Sequence, residues 1–410
     1  MERRLSISTI DRRGLLRGAG AAGGLLGLAG CATGQGALAT SSAAAPTPTI
    51  PLAPIRANAD RVFDVTVCLR PFRAAGPRIE TERVGDKLVV HNYGHGGSGW
   101  SLSWGSGTVA VQMAMQSSPA EIAVIGCGAL GLTAAILAQR AGAKVTIYAR
   151  DLVSDTRSAR ATGSFTPDSR IALTDKAAPG FPALWEKMAR ISFHTYRNYL
   201  GLPGAPVEFT DRYFLSDAPS AAAPAIVPPA VQPPRPAALD FADYSDQIRD
   251  LTPHATLLPP GATPFPSHEV RRSSQLMFNI ADYAHTLMTD FLVAGGKLER
   301  REFHEPAELA ALPQTVVINC PGYGARALWK DESVVPVRGQ ITWLMPQPEV
   351  NYGVYFGEMG VLARRDGIVL QMFDGGDMRG YGDDHEVADQ DEAKTSVARV
   401  AALYAGFGKG

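Results

Sequence analysis

Three glycines set the first chemical possibility. The run Val124-Ile125-Gly126-Cys127-Gly128-Ala129-Leu130-Gly131 places Gly126, Gly128 and Gly131 in GxGxxG spacing behind an apolar stretch. In a dinucleotide site the first glycine permits a tight turn and the second lets backbone approach a pyrophosphate. The third lets strand and helix close up. The helix that follows would offer unbonded N–H groups and a positive dipole end to phosphate. The acidic group that should hold a ribose is less clear. The next strand ends Tyr148-Ala149-Arg150-Asp151. Asp151 suits ribose hydroxyls, whereas Arg150 suits the adenosine end or the extra phosphate of NADP, so both readings stay open.

The elements around this motif are legible. Ile122–Ile125, a helix from about Leu130 to Ala141, and Lys144–Tyr148 read as strand, helix and strand. Val62, Val65, Val67 and Leu69 mark a strand that ends at Arg70-Pro71, and Leu88–Val90 marks another. His91–Gly107, HNYGHGGSGWSLSWGSG, is too rich in glycine to read as one helix. Its first half reads as a tight loop, with a helix of small residues over 106–116. Residues 182–200 and 279–295 carry helical periodicity, and Thr315–Asn319 reads as a strand. The 202–215 and 337–374 regions read as an antiparallel sheet. His91 and His95 lack the further ligands of a metal framework, so no metal is expected. Cys68, Cys127 and Cys320 show no CxxC or Cys–His logic, and Cys127 reads as a small buried filler.

The chain has 410 residues and 45% hydrophobic content, enough for two or three folding units with a sizeable core. Lys plus Arg number 39 against 40 Asp plus Glu, a net charge of -1, which argues against a nucleic-acid partner. Four cysteines in such a length make no disulfide framework. Arg12-Arg13, Leu15-Leu16 and the small apolar run Gly18–Gly30 look like a twin-arginine export signal. Leu28-Ala29-Gly30-Cys31 resembles a lipoprotein box. The expectation is therefore export by the twin-arginine route to a periplasmic or other extracytoplasmic site. A lipidated Cys31 would anchor the protein at the membrane; a plain export signal cleaved elsewhere is the alternative.

Several segments together resemble the D-amino-acid oxidase and D-aspartate oxidase family. These are His91–Gly99 (HNYGHGGSG), Arg70-Pro71-Phe72-Arg73 with Gly76-Pro77-Arg78, VIGCGALGLTAA at 124–135, VINCPGYG at 317–324 and Arg338-Gly339-Gln340-Ile341. The likeness covers most of residues 62–405. In that family the Arg-Pro segment and HNYGHGG follow the FAD domain, whereas here they precede it, so the chain looks circularly permuted. The implied fold class is α/β: a Rossmann-like FAD-binding domain interleaved with an antiparallel-sheet substrate domain. The implied organisation is an export signal over 1–30, a tether over 31–60, and a permuted flavin and substrate-site segment over 61–120. A FAD-binding β–α–β core with its following helix then covers 121–200. Residues 201–295 would form part of the substrate domain, with Pro-rich insertions including 216–238. Residues 296–336 would return to the FAD domain, 337–387 would form the substrate-domain sheet, and 388–410 would be the closing helix of the FAD domain.

The resemblance also assigns roles. Arg70 matches the arginine that binds the substrate carboxylate, and Gly97 the glycine whose carbonyl accepts from the substrate amine. Gly94, Gly96, Ser98 and Gly99 would lie against the flavin, with backbone N–H groups facing its reduced ring. Gly126, Gly128, Gly131, Arg150, Arg160, Thr162, Gly163 and Ser164 would hold the rest of FAD. Ser98 stands where familiar members carry tyrosine, and Thr166 where they carry glutamine. Trp100 and Trp104 would shield the ring or pack the core. Arg73 and Arg78 are expected to be structural, and Asp168 to pair with Arg170. Among Tyr213, Tyr352 and Tyr355, Tyr355 is the choice for the residue over the substrate.

The implied activity is FAD-dependent oxidation of a D-amino acid, neutral by default. It would give an imino acid, then a 2-oxo acid and ammonia, with molecular oxygen reduced to hydrogen peroxide. An amine or amino-acid dehydrogenase feeding a membrane acceptor, a pyridine-nucleotide enzyme and a non-catalytic flavin-binding lipoprotein are the alternatives. The sequence leaves oligomeric state open.

Overall fold

The computed structural model describes residues 49–216 and 238–408. The twin-arginine segment, Cys31 and most of the Pro-rich 216–238 stretch lie outside the described residues. No helix among the described residues is long and apolar enough to cross a membrane.

The chain opens with β1 (Val62–Phe72), β2 (Thr81–Val84), β3 (Lys87–His91) and α1 (Gly99–Ala114). Next come β4 (Glu121–Ile125), α2 (Ala129–Arg140), β5 (Lys144–Ala149) and α3 (Phe181–Tyr196). They are followed by β6 (Val207–Leu215), β7 (Thr256–Leu257), β8 (Val270–Phe278), α4 (Ile280–Val293), β9 (Lys297–Arg300) and β10 (Val316–Asn319). The last part holds α5 (Ala325–Leu328), β11 (Val335–Leu344), β12 (Tyr352–Phe356), β13 (Met359–Arg364), β14 (Gly367–Met372) and α6 (Gln390–Ala405).

Two sheets result. The six-stranded sheet has the order β2-β3-β10-β4-β5-β9, parallel throughout except for the β2–β3 hairpin. Its strands are buried runs such as Ile122–Ile125 and Val316–Asn319, as a sheet covered on both faces requires. Helices α1 to α4 build the core on one face, and Phe303, Leu309, Leu312 and Leu328 cover the other.

The eight-stranded sheet has the order β1-β11-β14-β13-β12-β6-β8-β7. The antiparallel expectation holds for all its pairs but one: β12 runs parallel to β6. Between these two strands the chain passes through the other sheet, which supplies the long crossover that a parallel pair needs. Strands β1, β7 and β8 also belong to this sheet, beyond the two regions expected.

Two further expectations are corrected. Helix α1 starts at Gly99, inside the glycine-rich stretch, and carries Gly105 and Gly107 in its body. A Cβ on Gly105 would stand 2.1 Å from the Met188 carbonyl oxygen, and one on Gly107 3.0 Å from Leu137. These glycines are the contact surface through which α1 approaches α3 and α2, and that packing outweighs their poor helix propensity. Helix α6 does not close the FAD-type domain. Its Val397, Val400 and Leu403 join Val354, Val361 and Leu370 in the core of the eight-stranded sheet.

The two ends of the described chain meet on one loop. The Ile50 N–H donates to the Ala262 carbonyl (2.8 Å) and the Gly408 N–H to the Pro264 carbonyl (2.7 Å).

Candidate active site

A cavity of about 510 Å³ is lined from both sheets. The turn after β4 and the start of α2 form one end. Gly126 sits at φ +95°, and a Cβ there would lie 2.4 Å from the Cys320 carbonyl oxygen. Only glycine meets both demands. A Cβ on Gly131 would lie 2.0 Å from the Gly126 oxygen, so this glycine closes strand onto helix and stands outside the cavity wall. Gly128 caps α2 without a side-chain acceptor, and the Ser158 hydroxyl takes the Ala129 N–H at 3.0 Å.

At the end of β5, the Arg150 guanidinium folds onto Asp151 (2.8 Å) and reaches Glu302 (3.2 Å). Arg150 holds the Asp151 carboxyl below its ordinary range. Asp151 and Glu302 thus line the cavity at the end of β5 with acceptor oxygens of the kind ribose hydroxyls require, and Arg150 is already paired with both, which disfavours a 2′-phosphate. Glu302 escaped the sequence reading because β9 becomes a neighbour of β5 only through long-range pairing.

The His91–Gly99 segment supplies a second helix start. Gly99, Trp100 and Ser101, the first turn of α1, line the cavity, so the positive ends of α1 and α2 serve one space. The glycines before it work differently from the expectation. A Cβ on Gly96 would lie 1.9 Å from the Arg170 oxygen, and one on Gly97 2.4 Å from the Ser169 hydroxyl. Their N–H groups are committed to Pro71 and Ser169 carbonyls. They fit the loop at 169–170 against the cavity instead of making room for a ring. Gly97 and Gly96 still line the wall, but Gly94 does not; it abuts the Arg73 side chain. Ser98 is buried, donates to the Ser169 carbonyl at 3.1 Å, and also stands outside the lining.

His91 and His95 belong to separate networks. His91 contacts Glu82 and Asn319. His95 lines the cavity and is 1% exposed; its Nε2 lies 2.7 Å from the Ser106 hydroxyl, which itself donates to Asn92. Nε2 therefore carries the ring proton and Nδ1, buried with no partner, carries a lone pair. Burial pushes the ring down to about 3, so it is neutral. Burial likewise pushes the Cys127 and Cys320 thiols up to about 12, which leaves them unreactive near neutral pH.

The loop after β5 forms another wall. Arg160, Thr162, Gly163 and Ser164 all line the cavity. Arg160 donates to the Val67 carbonyl, and Thr162 donates to Gln371 at 2.8 Å. Gly163 sits at φ +92° with its carbonyl receiving the Phe278 N–H.

The arginines near the cavity differ in their partners. Arg73 pairs with Asp331, and Arg78 with Glu80 and Glu82, as structural residues do. Arg70 lines the cavity and makes one long contact, 3.4 Å to the Arg338 carbonyl, with no carboxylate partner among the described residues. Burial lowers its ordinary value. Arg170 also lines the cavity but is held by Asp377 and by the Gly376 and Asp377 carbonyls, not by Asp168. Burial and the nearby Arg70 bring Arg170 down to about 10, so it stays charged. Asp168 instead faces Asp243, and burial raises its carboxyl to about 6.

The three tyrosines separate cleanly. Tyr352 donates to the Ala53 carbonyl, and Tyr213 packs on Phe265; both are core residues. Tyr355 lines the cavity. Trp100 lines it too, whereas Trp104 is fully buried and donates to Tyr283.

The cradle at Gly126 and Gly128, the two helix starts, the paired carboxylates and the orphaned His95 Nδ1 together fit a flavin dinucleotide. Comparison with known proteins agrees. The family model described as FAD dependent oxidoreductase matches residues 121–409. A D-amino-acid oxidase of Dictyostelium discoideum is 47% identical over 64 residues, 15% of this chain and 18% of its own. A D-aspartate oxidase of Talaromyces thermophilus is 50% identical over 52 residues, 11% of this chain and 14% of its own. The chain thus spans less than a fifth of either relative. Among solved structures, iminodiacetate oxidase from Chelativorans sp. BNC1 aligns with a TM-score of 0.45 and 14% identity, over 70% of this chain and 79% of that one. With the family model covering well over half of its length, the chain belongs to the FAD dependent oxidoreductase family and is an FAD-binding oxidoreductase.

Proposed function

We propose that the protein oxidises D-amino acids, giving the imino acid and then the 2-oxo acid and ammonia. The observation that carries this reading is Arg70: a guanidinium in the cavity wall with no carboxylate partner. A substrate carboxylate supplies the missing partner, and a planar guanidinium binds it through two parallel hydrogen bonds. Gly97 offers the complementary group. Its N–H is used by Ser169, and its carbonyl receives no hydrogen bond from a described residue, so it is free to accept from the substrate amine. Together with the side on which the hydride acceptor would lie, these two contacts would decide which enantiomer presents its Cα hydrogen. When bound, FAD supplies the hydride acceptor and hands two electrons to molecular oxygen, which leaves as hydrogen peroxide. The amine proton goes to water, and water hydrolyses the imine after release. The first turns of α1 and α2 favour negative charge in the cavity.

Chain order forms part of the same reading. We propose a circular permutation. Strand β1 and the β3–α1 unit precede the region that the family model matches, yet β1 pairs with β11 along nearly its whole length and β3 with β10. The approach of Ile50 and Gly408 to the same 262–264 loop supports this reading, because a permutation opens the chain between two segments that lie side by side. Twin-arginine export and lipidation at Cys31 are proposed from the first 31 residues alone.

The test is turnover of the purified protein in air with paired D- and L-amino acids, following oxygen uptake, peroxide and 2-oxo acid. Equal molar amounts of the three from D-forms alone are expected. Turnover of L-forms, or electron transfer to a dye without peroxide, would overturn the D-amino-acid or the oxidase part respectively.

A further inference from the structure

We propose that the side-chain amide of Gln371 is a hydrogen-bond donor to the ring end of the bound flavin and raises its reduction potential. The inference stands on FAD binding and goes beyond the amino-acid reading of the substrate.

Gln371 lies on β14, lines the cavity and is 8% exposed. The register places it beside Gly360 on β13, and Gly360 beside Tyr355 on β12. Register partners share a face of the sheet, so Gln371 and Tyr355 look to the same side, the cavity. The Gln371 Oε1 accepts from the Thr162 hydroxyl at 2.8 Å. With its oxygen held in this way, the amide turns its NH2 group in the other direction. That Nε2 has no acceptor among the described residues, and it is not among the fully buried atoms that lack a partner. Its N–H groups therefore open onto the cavity.

Thr162 is itself fixed. The Arg364 Nη1 donates to the Ala161 carbonyl (2.8 Å) and to the Thr162 carbonyl (3.3 Å). The Phe278 N–H donates to the Gly163 carbonyl at 2.7 Å. Arg364 is 4% exposed and pairs with Asp366, so this clamp is a buried ion pair. A rigid partner thus aims the Gln371 amide. Its N–H groups are the stronger donors because its oxygen already accepts a hydrogen bond.

The order of residues along the wall decides which part of the cofactor meets the amide. Asp151 and Glu302 stand at the ribose end. Ser158 stands at the dinucleotide turn, where a Cβ on Gly128 would lie 2.9 Å from its hydroxyl. Beyond Ser158 the lining continues with Arg160, Thr162 and, from the sheet, Gln371. In a flavin dinucleotide the ring follows the phosphates, so it comes to this stretch. A reduced flavin ring carries more negative charge than an oxidised one. A fixed N–H donor in a water-poor wall stabilises the reduced form more, which raises the potential.

The test is an anaerobic reductive titration of the FAD-loaded protein in equilibrium with a redox dye, beside a butyrate titration read by flavin absorbance. Butyrate carries one carboxylate and is not oxidised, so it reports the substrate side alone. At the wild-type midpoint, Gln371→Leu should lower the ratio of reduced to oxidised flavin about tenfold or more. For a two-electron couple that is a midpoint lower by about 30 mV. Gln371→Glu, which has no N–H to donate, should lower it at least as far. Thr162→Val should give a smaller shift in the same direction, and keeps the question answerable if the Gln371 variants do not load FAD. Butyrate affinity should stay within about twofold of wild type in Gln371→Leu. A midpoint unchanged in both Gln371 variants would overturn the proposal. So would a loss of butyrate affinity as large as the change in the flavin ratio, which would put the amide on the substrate. Failure to oxidise any D-amino acid would break the proposed function alone and leave this measurement standing.

Discussion

Gly339 lies directly beneath the guanidinium of Arg70: a Cβ built on it would stand 2.3 Å from Nη2 and 2.5 Å from Cζ. The two residues sit on paired strands, Arg70 on β1 and Gly339 on β11. The missing side chain of one is the seat of the other. Gly339→Ala should therefore lift the guanidinium and raise KM for the amino-acid substrate, lowering kcat/KM by about 10- to 100-fold. FAD content should be unchanged. Arg70→Lys, which keeps the charge but loses the bidentate fork, should cost about 100-fold or more in kcat/KM. Steady-state kinetics beside flavin-to-protein absorbance ratios separates substrate binding from cofactor loss.

Gly126→Ala should act on the cofactor. The new methyl would meet the Cys320 carbonyl at 2.4 Å from a backbone at φ +95°. The expected result is purified protein with little bound flavin and an affinity for added FAD weaker by about tenfold or more. Flavin fluorescence quenching on reconstitution measures this directly.

Much of this was legible in the sequence, and the exceptions share a cause. The β4–α2–β5 unit and the roles of Gly126 and Gly131 follow from local spacing, and they stand where the sequence places them. Gly105 and Gly107 misled because the reason for them, close approach to Met188 and Leu137, lies in distant sequence. Glu302 was invisible for the same reason. It becomes a neighbour of Asp151 only when β9 joins β5.

Gly105→Ala should test the helix packing without touching the cavity. Its Cβ would stand 2.1 Å from the Met188 carbonyl, forcing α1 and α3 apart. A loss of about 1–3 kcal/mol is expected, seen as a Tm lower by several degrees.

His95 should make the fold acid-labile. Its folded value is about 3, lowered by burial, against about 6.5 in the unfolded chain. Between these limits the unfolded state binds the extra proton and the folded state does not. The stability is therefore fully present above about pH 6.5 and declines as pH falls towards 3, by on the order of 3–5 kcal/mol. His95→Gln should lose stability less steeply than the wild type over that window, in urea midpoints taken at pH 7, 5 and 4.

The most direct test of the central claim is the anaerobic visible spectrum of the FAD-loaded protein, titrated with D-alanine and D-aspartate and with their L-enantiomers. The expected result is that a D-form bleaches the flavin band and that neither L-form does. Admitting air should restore the band with release of peroxide. A flavin band that no D-amino acid bleaches, or that the L-forms bleach equally, would contradict it.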